Sequence, residues 1–228
     1  MVADKNMESA LRGILSREEV RLVLGTAPFL FDPRRDLLVA AGQNDPGLYT
    51  RASEILQPYA GSWKHAVVLV DAEWQGSPGA DQIQQRLNEH LVNAGWADGD
   101  GLGLVVDPEI DLWLWSDSPH TPVALGWPSW IELREMLERE SLLKPGQLKP
   151  ERPKEAAERA LRLKRKVRSS LIYEQISSRV SIRRCQEPAV LVLLETLQRW
   201  FPPGGAEGLS DPSQAPGSGS SSGHSTSV

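Results

Sequence analysis

Residues 67–79 read VVLVDAEWQGSPG. With His65 and Ala66 in front, this is a mostly apolar run that stops at Asp71, the pattern of a strand buried on both faces. A Gly-rich turn follows. Ala80 to Ala94 then shows helical spacing of its apolar residues and closes on Gly95, a residue suited to a helix C-terminus. Gly103 to Val106 repeats the buried-strand pattern and ends at Asp107-Pro108. Strand, helix and strand at this spacing form one βαβ unit, which implies an α/β fold with a parallel sheet.

On either side of this unit the pattern becomes helical. Lys5 to Ser16 carries Met7, Leu11, Ile14 and Leu15 on one face behind a capping Asp4. Gly47 to Tyr59 places Leu48, Ala52, Ile55 and Leu56 on one face, while Val20 to Leu24 and Phe29 to Phe31 read as short β-type runs. Beyond residue 108 the expected helices are Trp130 to Glu140, Lys154 to Lys166, Ser170 to Ser178 and Pro188 to Phe201. The expected organisation is an α/β sheet domain over 1–125 and a helical extension over 126–202. In residues 203–228, 17 of 26 are Gly, Ser or Pro, too poor in apolar surface to offset their ordering entropy, and they are expected to form a disordered tail.

Composition narrows the class. Of the 228 residues 40% are hydrophobic and 24% charged, the balance of a soluble globular chain. No apolar run approaches the roughly 20 residues of a membrane helix, so no membrane partner is expected. The opening MVADK has neither the basic segment nor the apolar core of a signal peptide, and a cytoplasmic location follows as the expectation. Cys185 is the single cysteine, which excludes an intramolecular disulfide and a zinc site of several thiolates. Charge is segregated: residues 144–168 hold ten Lys/Arg against three Glu, whereas residues 1–143 hold 11 basic against 22 acidic side chains.

Two acidic groups fall where α/β proteins bind ligands, at the carboxyl ends of parallel strands. Asp71 and Glu73 follow the first strand, and Asp107, Glu109 and Asp111 follow the second. Two carboxylates at a strand end can share one hard cation such as Mg²⁺, whose sites combine one or two carboxylates with water and substrate phosphate. The simpler alternative is a turn-capping Asp71 in a solvated acidic loop. Neither G-x-G-x-x-G nor G-x-x-x-x-G-K-[ST] occurs, nor a G-x-S-x-G elbow. His65 and His90 fall in a strand and a helix and read as structural, and His120, in a Pro-rich loop, is the one histidine retained as a candidate. Trp113 and Trp115 alternate with leucines, as packing residues do. The basic segment, read as a helix from Lys154, aligns Ala156, Ala160, Leu163 and Val167 as an apolar stripe. Lys154, Arg159, Arg162, Lys164, Arg165 and Arg168 lie around it. Such a surface either tracks a nucleic-acid backbone or pairs with the acidic first part of the same chain.

Several segments together resemble a family. ADKNMESALRGIL (3–15), DPRRD (32–36), VVLVDAEWQG, NAGW (93–96), DPEIDLWLWSDSPH (107–120), LGW (125–127), RPKEAAERAL, RSSLIYEQI, RCQEPA and RWFP occur in an order that is similar to the small Toprim-like proteins of bacterial methylation-associated phage-defence systems. The resemblance spans most of 3–202. It implies a Toprim-like α/β sheet, a role in restricting foreign DNA beside other defence-system subunits, and Mg²⁺- or Mn²⁺-dependent nuclease chemistry. The second Toprim acidic motif, Asp-x-Asp, maps to Asp71 and Glu73 as metal ligands. The first is a glutamate ending an opening strand. Here no strand is evident before Asp4, and Asp4 or Glu8 is the acid available for that place. Glu8 and Glu109 are accordingly the candidate catalytic acids. The rival expectation is a non-catalytic adaptor or DNA-binding subunit on a degenerate Toprim-like fold, with tryptophans such as Trp74, Trp127 and Trp130 serving an interface.

Overall fold

In the computed structural model residues 1–203 are described. The expected tail, apart from Pro203, lies outside the described residues. The βαβ unit takes the form expected of it. β1 (Ala66–Asp71), α5 (Ala80–Ala94) and β2 (Gly101–Val106) follow one another, and the two strands pair in parallel with Ala66 opposite Gly101 and Asp71 opposite Val106. Gly95 ends α5 in the left-handed conformation. Two further glycines let the helix approach the strand. A Cβ on Gly103 would fall 2.6 Å from the Leu87 Cβ, and one on Gly101 would fall 2.8 Å from that of Leu91.

The opening residues belong to the sheet. Val2 makes parallel bridges to Leu69 on one side and to Val39 on the other, so the lateral order is Val39, Val2, β1, β2. The apolar pair before Asp4 is too short to show strand periodicity, which is why the sequence gives no sign of it. Asp4 then starts α1 (Lys5–Leu15), its carboxylate accepting the N–H groups of Asn6 and Met7. Two expected strands are corrected. Val20 to Leu24 lies in helix α2 (Glu18–Leu24), with glutamates in its first turn and a left-handed Gly25 as its end; Phe29 to Phe31 is irregular. A five-residue run with four apolar side chains does not by itself separate strand from helix, and here the capping residues decide.

The short α3 (Pro33–Asp36) and α4 (Asp45–Leu56) precede β1, and α4 packs on α5 and on β1. After β2 come a 3₁₀ segment (Ile110–Trp115) and α6 (His120–Ala124), α7 (Trp130–Arg139), α8 (Pro153–Leu163), α9 (Ser170–Ser177) and α10 (Pro188–Trp200). These later helices close on the first part of the chain: α9 on α1, α8 on the 3₁₀ segment and α10 on β2. One cluster of buried side chains runs from Val2 to Leu197. The protein is thus a mixed α/β fold, mostly helical, around a two-stranded parallel sheet. Among the described residues no helix is long and apolar enough to cross a membrane.

α8 ends earlier than its sequence pattern suggests. The Lys166 N–H returns to the Leu161 carbonyl while Arg165 takes a left-handed φ of 54°, so the chain leaves the helix after Leu163. Its buried face is Ala156, Ala157, Ala160 and Leu161. Leu163 and Val167, expected in the apolar stripe, are exposed.

Candidate functional site

The carboxyl ends of the strands carry the acids. β1 ends on Asp71, whose N–H donates to Asp45 Oδ1 at 2.8 Å and whose Oδ1 accepts the Ile110 N–H at 2.7 Å. Asp45 is brought there by the first turn of α4, behind its cap Asn44. The Ala72 and Glu73 N–H groups both donate to the Pro108 carbonyl, which ties the two strand ends together and sets Glu109 beside Glu73. Between Val2 and β1 the lateral order reverses relative to the chain. In open α/β sheets that position leaves a crevice for ligands, and Asp4 and Asp71 stand at its mouth.

Burial and mutual repulsion dominate the electrostatics. Asp71 is pushed up to about 9, first by loss of solvation and then by the charge of Asp45, with Asp4 and Glu109 adding to it. Burial raises Asp45 as well. Burial also raises Glu109, with Asp111 and Glu73 contributing, while the Lys154 N–H, donating to Glu109 Oε1 at 3.1 Å, opposes the shift. A carboxylate shifted as far as Asp71 holds its proton at neutral pH or is relieved by a cation. All are hard oxygen donors of the kind Mg²⁺ takes. Among the described residues no three His, Cys, Asp or Glu side chains converge closely enough to hold a metal ion by themselves.

Of the acids expected from sequence, Asp71, Glu73 and Glu109 share this edge, with Glu73 exposed and Glu109 half-buried. Glu8 does not join them. It is buried one turn into α1, its two oxygens held at 2.6 Å by Lys5 and by Arg12. Asp4 is the acid of the first segment whose charge reaches Asp71. Asp45 was missed, because Asn44-Asp45-Pro46 reads only as a helix start; nothing local announces that its carboxylate reaches β1. Asp111 is buried and serves another purpose: Arg168 binds it through Nε at 3.0 Å and a terminal nitrogen at 2.6 Å, and the Tyr173 hydroxyl donates at 2.7 Å. His120 opens α6. His90 is buried, its ring nitrogens bonded to Ser53 and to the Tyr49 carbonyl.

The basic residues divide into two sets. Arg168 is turned inward onto Asp111, and Arg159 is paired in a two-pronged contact with Glu140 at 2.9 and 3.0 Å, so neither is a free cation of an open surface. Lys154 is exposed near the acidic edge, its charge felt by both Asp45 and Glu109. Arg162, Lys164, Arg165 and Lys166 are exposed at the far end of α8, which at 11 residues measures about 16 Å. Lys164 lies 4.0 Å above the Trp127 ring. Trp113, Trp115 and Trp127 are buried, as packing residues are. No family model, curated protein or solved structure that was compared matches the chain.

Proposed function

We propose that this chain is a cytoplasmic component of a bacterial phage-defence system, a Mg²⁺- or Mn²⁺-dependent nuclease-like subunit that acts on foreign DNA from a Toprim-like sheet. The observation that carries this reading is the meeting of Asp4, Asp45, Asp71 and Glu109 at the crevice beside β1. The family resemblance of the motif order supports it. Asp71 and Glu73 would hold the cation, with Asp4 in the place first given to Glu8. A bound cation would stabilise charge on the scissile phosphate and acidify a bound water. Glu109, its pKa raised from the ordinary value chiefly by burial, is the acid placed to accept a proton from that water. Lys154, Arg162, Lys164 and Arg165 would hold the DNA backbone along α8, each contact releasing counter-ions. Supercoiled DNA incubated with the protein and Mn²⁺ or Mg²⁺ is expected to be nicked, and Asp71→Ala to abolish the nicking. Equal cutting by the variant would end this reading.

A second reading is a non-catalytic adaptor or DNA-binding subunit that docks other defence-system subunits. It is favoured by how far the acids are already engaged: Asp4, Asp45, Asp71 and Glu109 each accept at least one backbone N–H. Titration calorimetry separates the two. Heat on adding Mn²⁺, lost in Asp71→Ala, supports the metal site, and silence with intact, salt-sensitive DNA binding supports the adaptor.

A further inference from the structure

A cavity of about 440 Å³ opens at the amino end of the strands, where Met1, Ala66 and Val67 form part of its floor, away from the acidic edge. Its aromatic walls come from three distant parts of the chain: Phe29 and Phe31 after α2, Tyr59 and Trp63 before β1, and Trp200 and Phe201 at the end of α10. The walls are set by contacts within the protein. Phe29 stacks on Phe201 with centroids 4.6 Å apart, and His65 stacks on Trp200 at 4.5 Å with the rings 12° from parallel. The Ala27 N–H donates to the Phe201 carbonyl and keeps the 29–31 segment against α10.

The polar groups of this cavity are used unevenly. Each indole N–H is spent inside the protein: Trp63 on Asp36, Trp96 on the Trp63 carbonyl, and Trp200 on the Gly99 carbonyl. The indole rings therefore offer faces and no donors. On the rim, Arg35 is consumed by two bonds to Asp36. Lys64 is exposed and, among the described residues, forms no ion pair. The volume lies within the roughly 300–1,000 Å³ of small-molecule sites, which combine apolar and aromatic walls with a few polar groups. Flat aromatic faces select a flat ring, and one unpaired cation selects one negative charge. We propose that this cavity binds a planar aromatic molecule carrying a single anionic group, the ring between the aromatic walls and the anion on Lys64.

Carboxylates and phosphates on aromatic rings share this chemistry, so the test has an arm for each. Anilinonaphthalene sulfonate, whose flat naphthalene ring carries a single sulfonate, is titrated into the folded full-length protein at neutral pH and followed by its fluorescence under tryptophan excitation. Saturable one-to-one binding is expected. Lys64→Glu, on the exposed rim, should weaken it about threefold to fivefold, as loss of a partly exposed charge pair does. Ala66→Phe, which places a ring in the cavity, should abolish it; if that variant does not fold, Lys64→Glu decides alone. Displacement by indole-3-acetate identifies a carboxylate ligand, and displacement by adenosine monophosphate a phosphate. Displacement by neither, non-saturable binding, or unchanged affinity in Lys64→Glu would overturn the proposal. Asp71→Ala should bind the probe as the unaltered protein does, which keeps this site independent of the acidic edge.

Discussion

At the carboxyl end of the sheet the chain gathers Asp4, Asp45, Asp71 and Glu109; at the amino end, six residues of strand away, it gathers Phe29, Trp63, His65, Trp200 and Phe201. Each end is held by a different kind of force. The acidic end stores repulsion and lost solvation, and it is kept together by backbone N–H donors and by the buried network of Arg168, Asp111 and Tyr173 just beyond Glu109. The aromatic end is held by ring contacts and indole N–H bonds and encloses unfilled volume. A region kept in place against its own charge should respond strongly to the loss of a restraint and to pH. A region kept by dispersed apolar contacts should respond weakly to the loss of one polar bond.

The largest expected effect comes from the restraint. Asp111→Ala leaves the Arg168 guanidinium half-buried without its partner and frees the Tyr173 hydroxyl, and it should cost about 3–5 kcal/mol in urea unfolding. A loss below about 1 kcal/mol would show that this network does not hold the acidic end.

A smaller effect of opposite sign is expected at Asp71. Its folded-state value, about 9, lies above the ordinary 3.8, so the folded protein holds this proton more tightly than the unfolded chain does. The contribution is fully present below about pH 4 and is lost as pH rises toward 9. Asp71→Asn keeps an oxygen for the Ile110 N–H and removes the titration. In the absence of divalent cations it should stabilise the protein by about 1–3 kcal/mol at pH 8 and by less at pH 5. Equal gains at the two pH values would mean that Asp71 ionises normally in the folded protein.

The aromatic end should give the smallest change. Trp63→Phe removes the bond to Asp36, which remains paired with Arg35. The cost should be about 1 kcal/mol, read as a fall in Tm of about 2–4 °C. A fall as large as that from Asp111→Ala would erase the contrast between the two ends.

The acidic end was largely visible in the residues. Asp71 and Glu109 follow apolar strands, and strand-end position alone directs them to one edge. Glu8 lies away from this edge, held by Lys5 and Arg12; a strand position as short as Val2 leaves no alternating pattern, so nothing in the residues marked Asp4 as the end of one. The aromatic cavity was invisible, since Phe29, Trp63 and Trp200 are separated by long stretches of chain and carry no shared spacing.

Local periodicity and capping determined β1, α5, β2 and most of the helices, because hydrogen bonding and burial within such elements depend on neighbours a few residues apart. Tertiary structure alone decided that Val2 sits between Val39 and Leu69, that Asp45 reaches Asp71, and that Arg168 turns inward onto Asp111 rather than out toward solvent. A cation on a helical pattern looks the same whether its partner is water, phosphate or a carboxylate 57 residues away. Only the packing that removes water from Asp111 settles which of them Arg168 meets.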